Sequence, residues 1–337
     1  MTRTVVVLAL ICLLASCNSK DKVPDVSGIK IELKTSRFEQ DFFKLDTANL
    51  NLQLDKLQAG YPSFGENFMT TILNCDPRWS GDTLANYVRG FIGAYKNVYD
   101  TSTLIYRDFS PYEKEIKKGL QFVAYYFPKY QIPHSIITYI GPLDGYGDII
   151  SADAIIVGLH YHLGAGYSLY KSEIVQETYP DYISRRFEPA YIAVNCLKNI
   201  TLDMYPEHME DKPFVQQMVE KGKRLYLLAK FLPNTEEYKL IGYTKEQLDA
   251  AYKSEASIWS LFVQNNLLQS IDNNQIRNYL SESPKTQELG EGSPGNIGSF
   301  AGWQIVKKYM EKNPKTTLAE LMAIDAETLF EEAKYKP

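Results

Sequence analysis

The chain has 337 residues, 45% of them apolar, enough to enclose a large core as one domain or two closely packed ones. Its formal net charge is -5, and Lys and Arg are interspersed with Asp and Glu instead of gathering in a stripe, which excludes the basic footprint of a nucleic-acid binder. No repeat or internal Gly/Ser- or Pro-rich linker divides it, and no apolar run reaches the roughly 18 residues of a membrane-spanning helix.

At the amino terminus Arg3 precedes an apolar stretch at residues 5–14, followed by Leu14-Ala15-Ser16-Cys17. A positive start, a short apolar run and a small-residue cleavage site make a secretory signal, too short to cross a hydrocarbon core of about 30 Å. The four residues ending in Cys17 resemble the bacterial lipobox. That resemblance implies a signal peptide over residues 1–16 and diacylglycerol on the Cys17 sulfur of the mature chain; the alternative is a plain signal in which Cys17 is incidental. At about 0.8 kcal/mol per buried methylene, two or more acyl chains hold a protein stably at a membrane. Residues 17–27 read as a polar, charged, Pro-containing tether, and residues 28–337 as the folded body.

Residues 29–33 alternate Ile-Lys-Ile-Glu-Leu and predict a half-buried strand, with residues 37–43 continuing in extended or turn form. A helix follows, ending at Gly60 before Tyr61-Pro62. Ser110-Pro111-Tyr112-Glu113 has the form of a capping box, and Ile116, Leu120, Val123 and Phe127 follow at helical spacing. Residues 135–140 and 154–159 read as two strands around a Gly-rich turn, making a small mixed sheet with the first strand. From about Glu188 the pattern is almost all helix, with starts at Asp211, at Thr244-Lys245-Glu246-Gln247 and at Thr317-Leu318-Ala319-Glu320. The expected class is α+β, helix-rich, its sheet near the amino-terminal half.

Few residues are arranged for chemistry. His160 and His162 flank Tyr161, and a strand continuing that far would place both imidazoles on one face, at the lip of a groove or as two nitrogens for zinc. Glu220 can project into the same cleft, or belong to a solvated helix face with Lys221, Lys223 and Arg224 outward. Ser293-Pro294 is expected to open a helix in which Gly298 and Gly302 admit a close backbone neighbour, Trp303 supplies bulk, and the start is able to meet anions. The candidate groove is therefore His160, His162, Glu220 and Trp303. Cys75 and Cys196, left over once Cys12 and Cys17 are spent, either form a disulfide or stay as buried thiols. His-Glu-x-x-His, Gly-x-Ser-x-Gly, phosphate-loop and dinucleotide patterns are missing from the sequence, so no catalytic residue, metal or cofactor is expected.

Five segments, taken with the lipobox, resemble the gliding-motility lipoprotein GldB family of Bacteroidetes: Gly158 to Gly164, Tyr182 to Ile192, Glu220 to Tyr226, Leu240 to Thr244, and Ser293 to Val306. The resemblance implies a lipid-anchored envelope protein facing the periplasm from the inner or outer membrane. Its partners would be the membrane, through the lipid, and other gliding-machinery proteins, with no nucleic acid. The family is in turn distantly similar to predicted zinc peptidases, whose His-Glu-x-x-His would fall near residues 191–197. This stretch offers no imidazole, which implies a degenerate zinc-peptidase-like scaffold. The competing expectation is a metal-dependent peptidase or cell-wall hydrolase using His160, His162 and Glu220 at an unconventional site.

Overall fold

A computed structural model describes residues 23–337 apart from Glu210 and Glu291, so the expected signal peptide, Cys17 and the first part of the expected tether lie outside the described residues. The fold is α+β and helix-rich, as expected. Strand β1 (Lys34–Arg37) pairs in parallel with β2 (Ser135–Tyr139), which pairs in parallel with β4 (Ala154–Gly158); β3 (Ile149–Ile150) lies antiparallel to β4. The spatial order is β1-β2-β4-β3, a mixed sheet.

Successive side chains on a strand point to opposite faces. Ile136, Ile155 and Val157 enter one core, while Ile137, Tyr139, Ala154 and Ile156 enter another. Burial on both faces is why β4 reads as an unbroken apolar run and why β2 is apolar apart from Ser135 and Thr138, the latter buried on Glu39. The smaller core is closed by α1 (Phe38–Phe43), α2 (Leu50–Gly60) and α3 (Gly81–Ala94), with Phe38 within 4.9 Å of Phe64 and 4.6 Å of Phe68 between ring centroids. The larger core is built by α4 (Ser110–Tyr126), α5 (Ile192–Met204), α6 (Phe214–Phe231) and the carboxy-terminal helices.

The first strand begins later than its alternation predicts. Ile29, Ile31 and Leu33 do pack on the larger core, but the ladder opens only at Lys34, opposite Ser135. Pro133 just before β2 has no N–H to extend that ladder. Residues 38–43 are helical, not extended, because Phe38 and Phe42, one turn apart, both enter the smaller core. Helix α4 starts at Ser110 without the expected capping box: the Ser110 amide donates to Asp108 Oδ1 at 2.9 Å, and Glu113 accepts from Thr35 Oγ1 at 2.6 Å. The capping boxes at Thr244, heading α7 (Lys245–Lys253), and at Thr317, further on, are both formed.

Helix α8 (Ile297–Lys312) starts four residues after Ser293, since Asn296 takes a left-handed conformation with φ 56° that a helix cannot include. Gly302 does admit a backbone. A Cβ there would strike the carbonyl of Met218, and one at Gly222 would strike the carbonyl of Gly302, so α6 and α8 touch main chain to main chain. The helix pair α9 (Leu318–Ala323) and α10 (Ala326–Ala333) closes the carboxy-terminal end.

Candidate functional site

The His160-Tyr161-His162 segment does not continue β4. The strand stops at Gly158, where a Cβ would lie 2.8 Å from His160 Cε1, and residues 159–161 form a 3-10 turn. Both imidazoles are buried, and their ring nitrogens are committed within the fold. His160 Nδ1 accepts from the Gly141 amide at 3.1 Å and Nε2 faces the Tyr146 carbonyl at 3.0 Å, so a neutral ring with its proton on Nε2 satisfies both. Burial pushes the His160 pKa down to about 4. His162 meets two acceptors, Glu188 O at 3.0 Å from Nδ1 and Asp148 Oδ2 at 2.8 Å from Nε2, an arrangement that suits an imidazolium. Burial opposes that charge, but the Asp148 carboxylate outweighs it and raises the pKa. Asp148 is lowered in turn, its own burial outweighed by His162 and by donors on Asn195 and Gly158.

The other members of the expected groove lie elsewhere. Glu220 accepts from Lys223 Nζ and Arg224 Nη1, both at 3.0 Å, and does not stand beside His160. Those cations are buried, contrary to the solvated face expected: Lys223 also donates to the Ile324 carbonyl, and Arg224 to Tyr205 O at 2.9 Å and Pro206 O at 2.7 Å. Trp303 is fully buried beneath the Lys307 ammonium, 4.1 Å from its ring centroid. The four residues therefore form no common groove. Cys75 and Cys196 are free thiols in separate cores on opposite sides of the sheet, so the disulfide does not form. Burial pushes the Cys75 pKa up to about 11 and raises that of Cys196.

A different cleft is assembled between α5, α6 and the start of α8. It is an open cleft with a cavity of about 90 Å³ and apolar walls from Leu202, Leu225, Leu228, Leu240 and Ile241. Its charged groups are Lys198, Glu207, Lys221, Arg224 and Glu282, while Asn296 and Ser299 stand at the head of α8. A second recess of about 120 Å³, bordered by Arg186, Phe187 and Asn195, shares Lys198 and Glu282 with it. Arg186 holds both oxygens of Glu282, its Nη1 at 3.0 Å from Oε1. Burial would raise the Glu282 carboxyl, but Arg186 holds it below its ordinary value. Gly242, at φ 83°, leaves the room that the Arg186 guanidinium occupies, and Arg185 Nη2 donates to the Gly242 carbonyl at 3.2 Å and to Gln247 at 2.8 Å. The Tyr243 hydroxyl donates to Gly295 O at 2.8 Å, tying this turn to the approach of α8.

Most of these charges are matched. Lys221 lies 3.6 Å from Glu207, and Arg224 is held by Glu220 and by carbonyls. Lys198 has no hydrogen bond or ion pair among the described residues. Its side chain keeps solvent access, yet the surrounding protein atoms hold its pKa below the ordinary lysine value, with Glu282 opposing. At the head of α8 no side chain caps the helix, and the amides of Ile297, Gly298 and Ser299 have no partner among the described residues. The arrangement offers a cation and free N–H donors beside an apolar wall. Sequence reading missed Lys198 and Glu282, which carry no local signature. Arg186, Leu240 and Asn296 lie inside the segments singled out above.

A family model described as gliding motility protein GldB matches residues 19–337. The chain belongs to that family. Four of the five segments on which the GldB resemblance rests line the two recesses, through Arg186, Lys221, Leu240 and Asn296 among others. No curated protein and no solved structure matches the chain. No helix among the described residues is long and apolar enough to cross a membrane.

Proposed function

We propose that this GldB-family chain is a noncatalytic envelope protein, anchored by lipid on Cys17 and facing the periplasm, that supports a gliding-motility or secretion-type apparatus through protein contacts. Family membership over residues 19–337 carries the reading. It is supported by the lipobox-like Leu14-Ala15-Ser16-Cys17 and by the way His160 and His162 spend their ring nitrogens on internal bonds. Anchoring by acyl chains requires two or more of them, so removing the thiol that receives them should release the protein. In a strain lacking the gene, the native chain is expected to restore spreading. Cys17→Ser is expected to leave the membrane fraction and to lose complementation. Full complementation by a soluble Cys17→Ser product would overturn the anchored role.

A further inference from the structure

Charge in the cleft between α5, α6 and α8 is unbalanced at one place. Lys221 and Arg224 face carboxylates, and Glu282 is taken by Arg186, which leaves the Lys198 ammonium within electrostatic reach of Glu282 and Glu207 but with no hydrogen bond or ion pair of its own among the described residues. Apolar surface from Leu225, Leu240 and Ile241 lies beside it. A ligand that satisfies both needs an anionic end joined directly to an apolar body of a few heavy atoms. A cavity of about 90 Å³ limits that body to a single side chain.

We propose that this cleft captures the carboxy-terminal residue of a partner polypeptide, its free carboxylate on Lys198 and its apolar last side chain against Leu225 and Leu240. The unpartnered amides at the head of α8 add donors on the same side, since Asn296 and Ser299 line the cleft. Carboxylate capture of this kind is an established mode of peptide recognition. Glu207 and Glu282, already paired with Lys221 and Arg186, disfavour a second negative charge and so select a single carboxylate over a phosphate dianion. The inference rests on the reading of the chain as a partner-binding protein and names the chemical form of that partner's end.

The test is equilibrium binding of a fluorescent Gly-Ser-Gly-Leu peptide, as free acid and as carboxamide, to the full chain in detergent. The acid is expected to bind at least about tenfold more tightly than the amide, the typical worth of a hydrogen bond to a charged group. Lys198→Met is expected to reduce acid binding to the amide level, and Lys198→Arg to keep most of it. Lys198 is solvent-accessible, so neither variant threatens the fold. Equal binding of acid and amide, or an unchanged affinity in Lys198→Met, overturns the proposal. Displacement of the peptide by inorganic phosphate at equal concentration overturns it too, by assigning the site to phosphate. If the acid binds as expected but the native chain does not restore spreading, the capture site stands and the motility role falls. Restored spreading without peptide binding does the reverse.

Discussion

His160 and His162, two residues apart, are pushed in opposite directions by burial and by what their ring nitrogens face. His160 has one donor and one acceptor and stays neutral; His162 has two acceptors, one of them the Asp148 carboxylate, and favours the charged form. The His160 pKa falls from 6.5 to about 4 on folding, so the unfolded chain takes up that proton first as pH drops. Its contribution to stability is complete above about 6.5 and is lost as pH falls toward 4. The His162–Asp148 pair adds no slope in that window, because His162's contribution is complete below 6.5 and that of Asp148 above 3.8. Glu39, raised by burial, acts in the opposite sense over this range, so the expected observable is a difference: between about pH 6.5 and about pH 4.5 the urea midpoint of the native chain should fall relative to that of His160→Gln, although that variant is less stable throughout. An unchanged slope in the variant would remove His160 as its source. The His-x-His spacing was legible in the sequence, but its consequence was not. One-face geometry needs a strand, and the chain instead leaves β4 at Gly158, a position where Gly147 and His160 leave no room for a side chain, and enters a 3-10 turn.

Among the elements, α6 and α8 are joined without side chains between them. A methyl at Gly302 has nowhere to go, because its obstacle is the Met218 carbonyl and not a movable side-chain tip. Gly302→Ala is expected to cost at least the roughly 1–3 kcal/mol of an overpacked core, and Gly222→Ala a similar amount. Gly28→Ala, made where nothing lies within 4 Å of the added carbon, should change stability little. Chemical denaturation of the three variants checks this, and wild-type stability in Gly302→Ala would refute the packing. The sequence showed Gly298 and Gly302 on one helix face. It held no sign that the backbone meeting Gly302 belongs to Met218, or that the Gly302 carbonyl meets Gly222, since pairing between distant helices depends on the whole fold. The cations at residues 223 and 224 were misread for a related reason. A helical pattern places them on a face, but the cover over that face comes from Tyr205, Pro206 and Ile324.

For the molecule as a whole, the α+β class was legible because β2 and β4 are short, β-branched and largely apolar segments on either side of a Gly-rich turn and the later chain carries helical spacing and capping boxes. The division into two cores was not, and it decides the fate of the cysteines. Cys75 belongs to the smaller cluster and Cys196 to the larger, with the sheet between them. The lipobox-like residues ending in Cys17 are legible because they are adjacent in the chain, whereas the cleft between α5, α6 and α8 is gathered from Lys198 to Ser299 and leaves no local pattern.

Residues 136 and 137 of one strand, and 155 and 156 of its neighbour, insulate nothing: each adjacent pair is shared out to opposite sides, so the sheet is a party wall whose two tenants lean on the same bricks. Neither compartment can melt while the other keeps its lining. Scanning calorimetry should therefore record one endotherm, with calorimetric and van't Hoff enthalpies in agreement, and two resolved peaks would mean that the halves unfold independently.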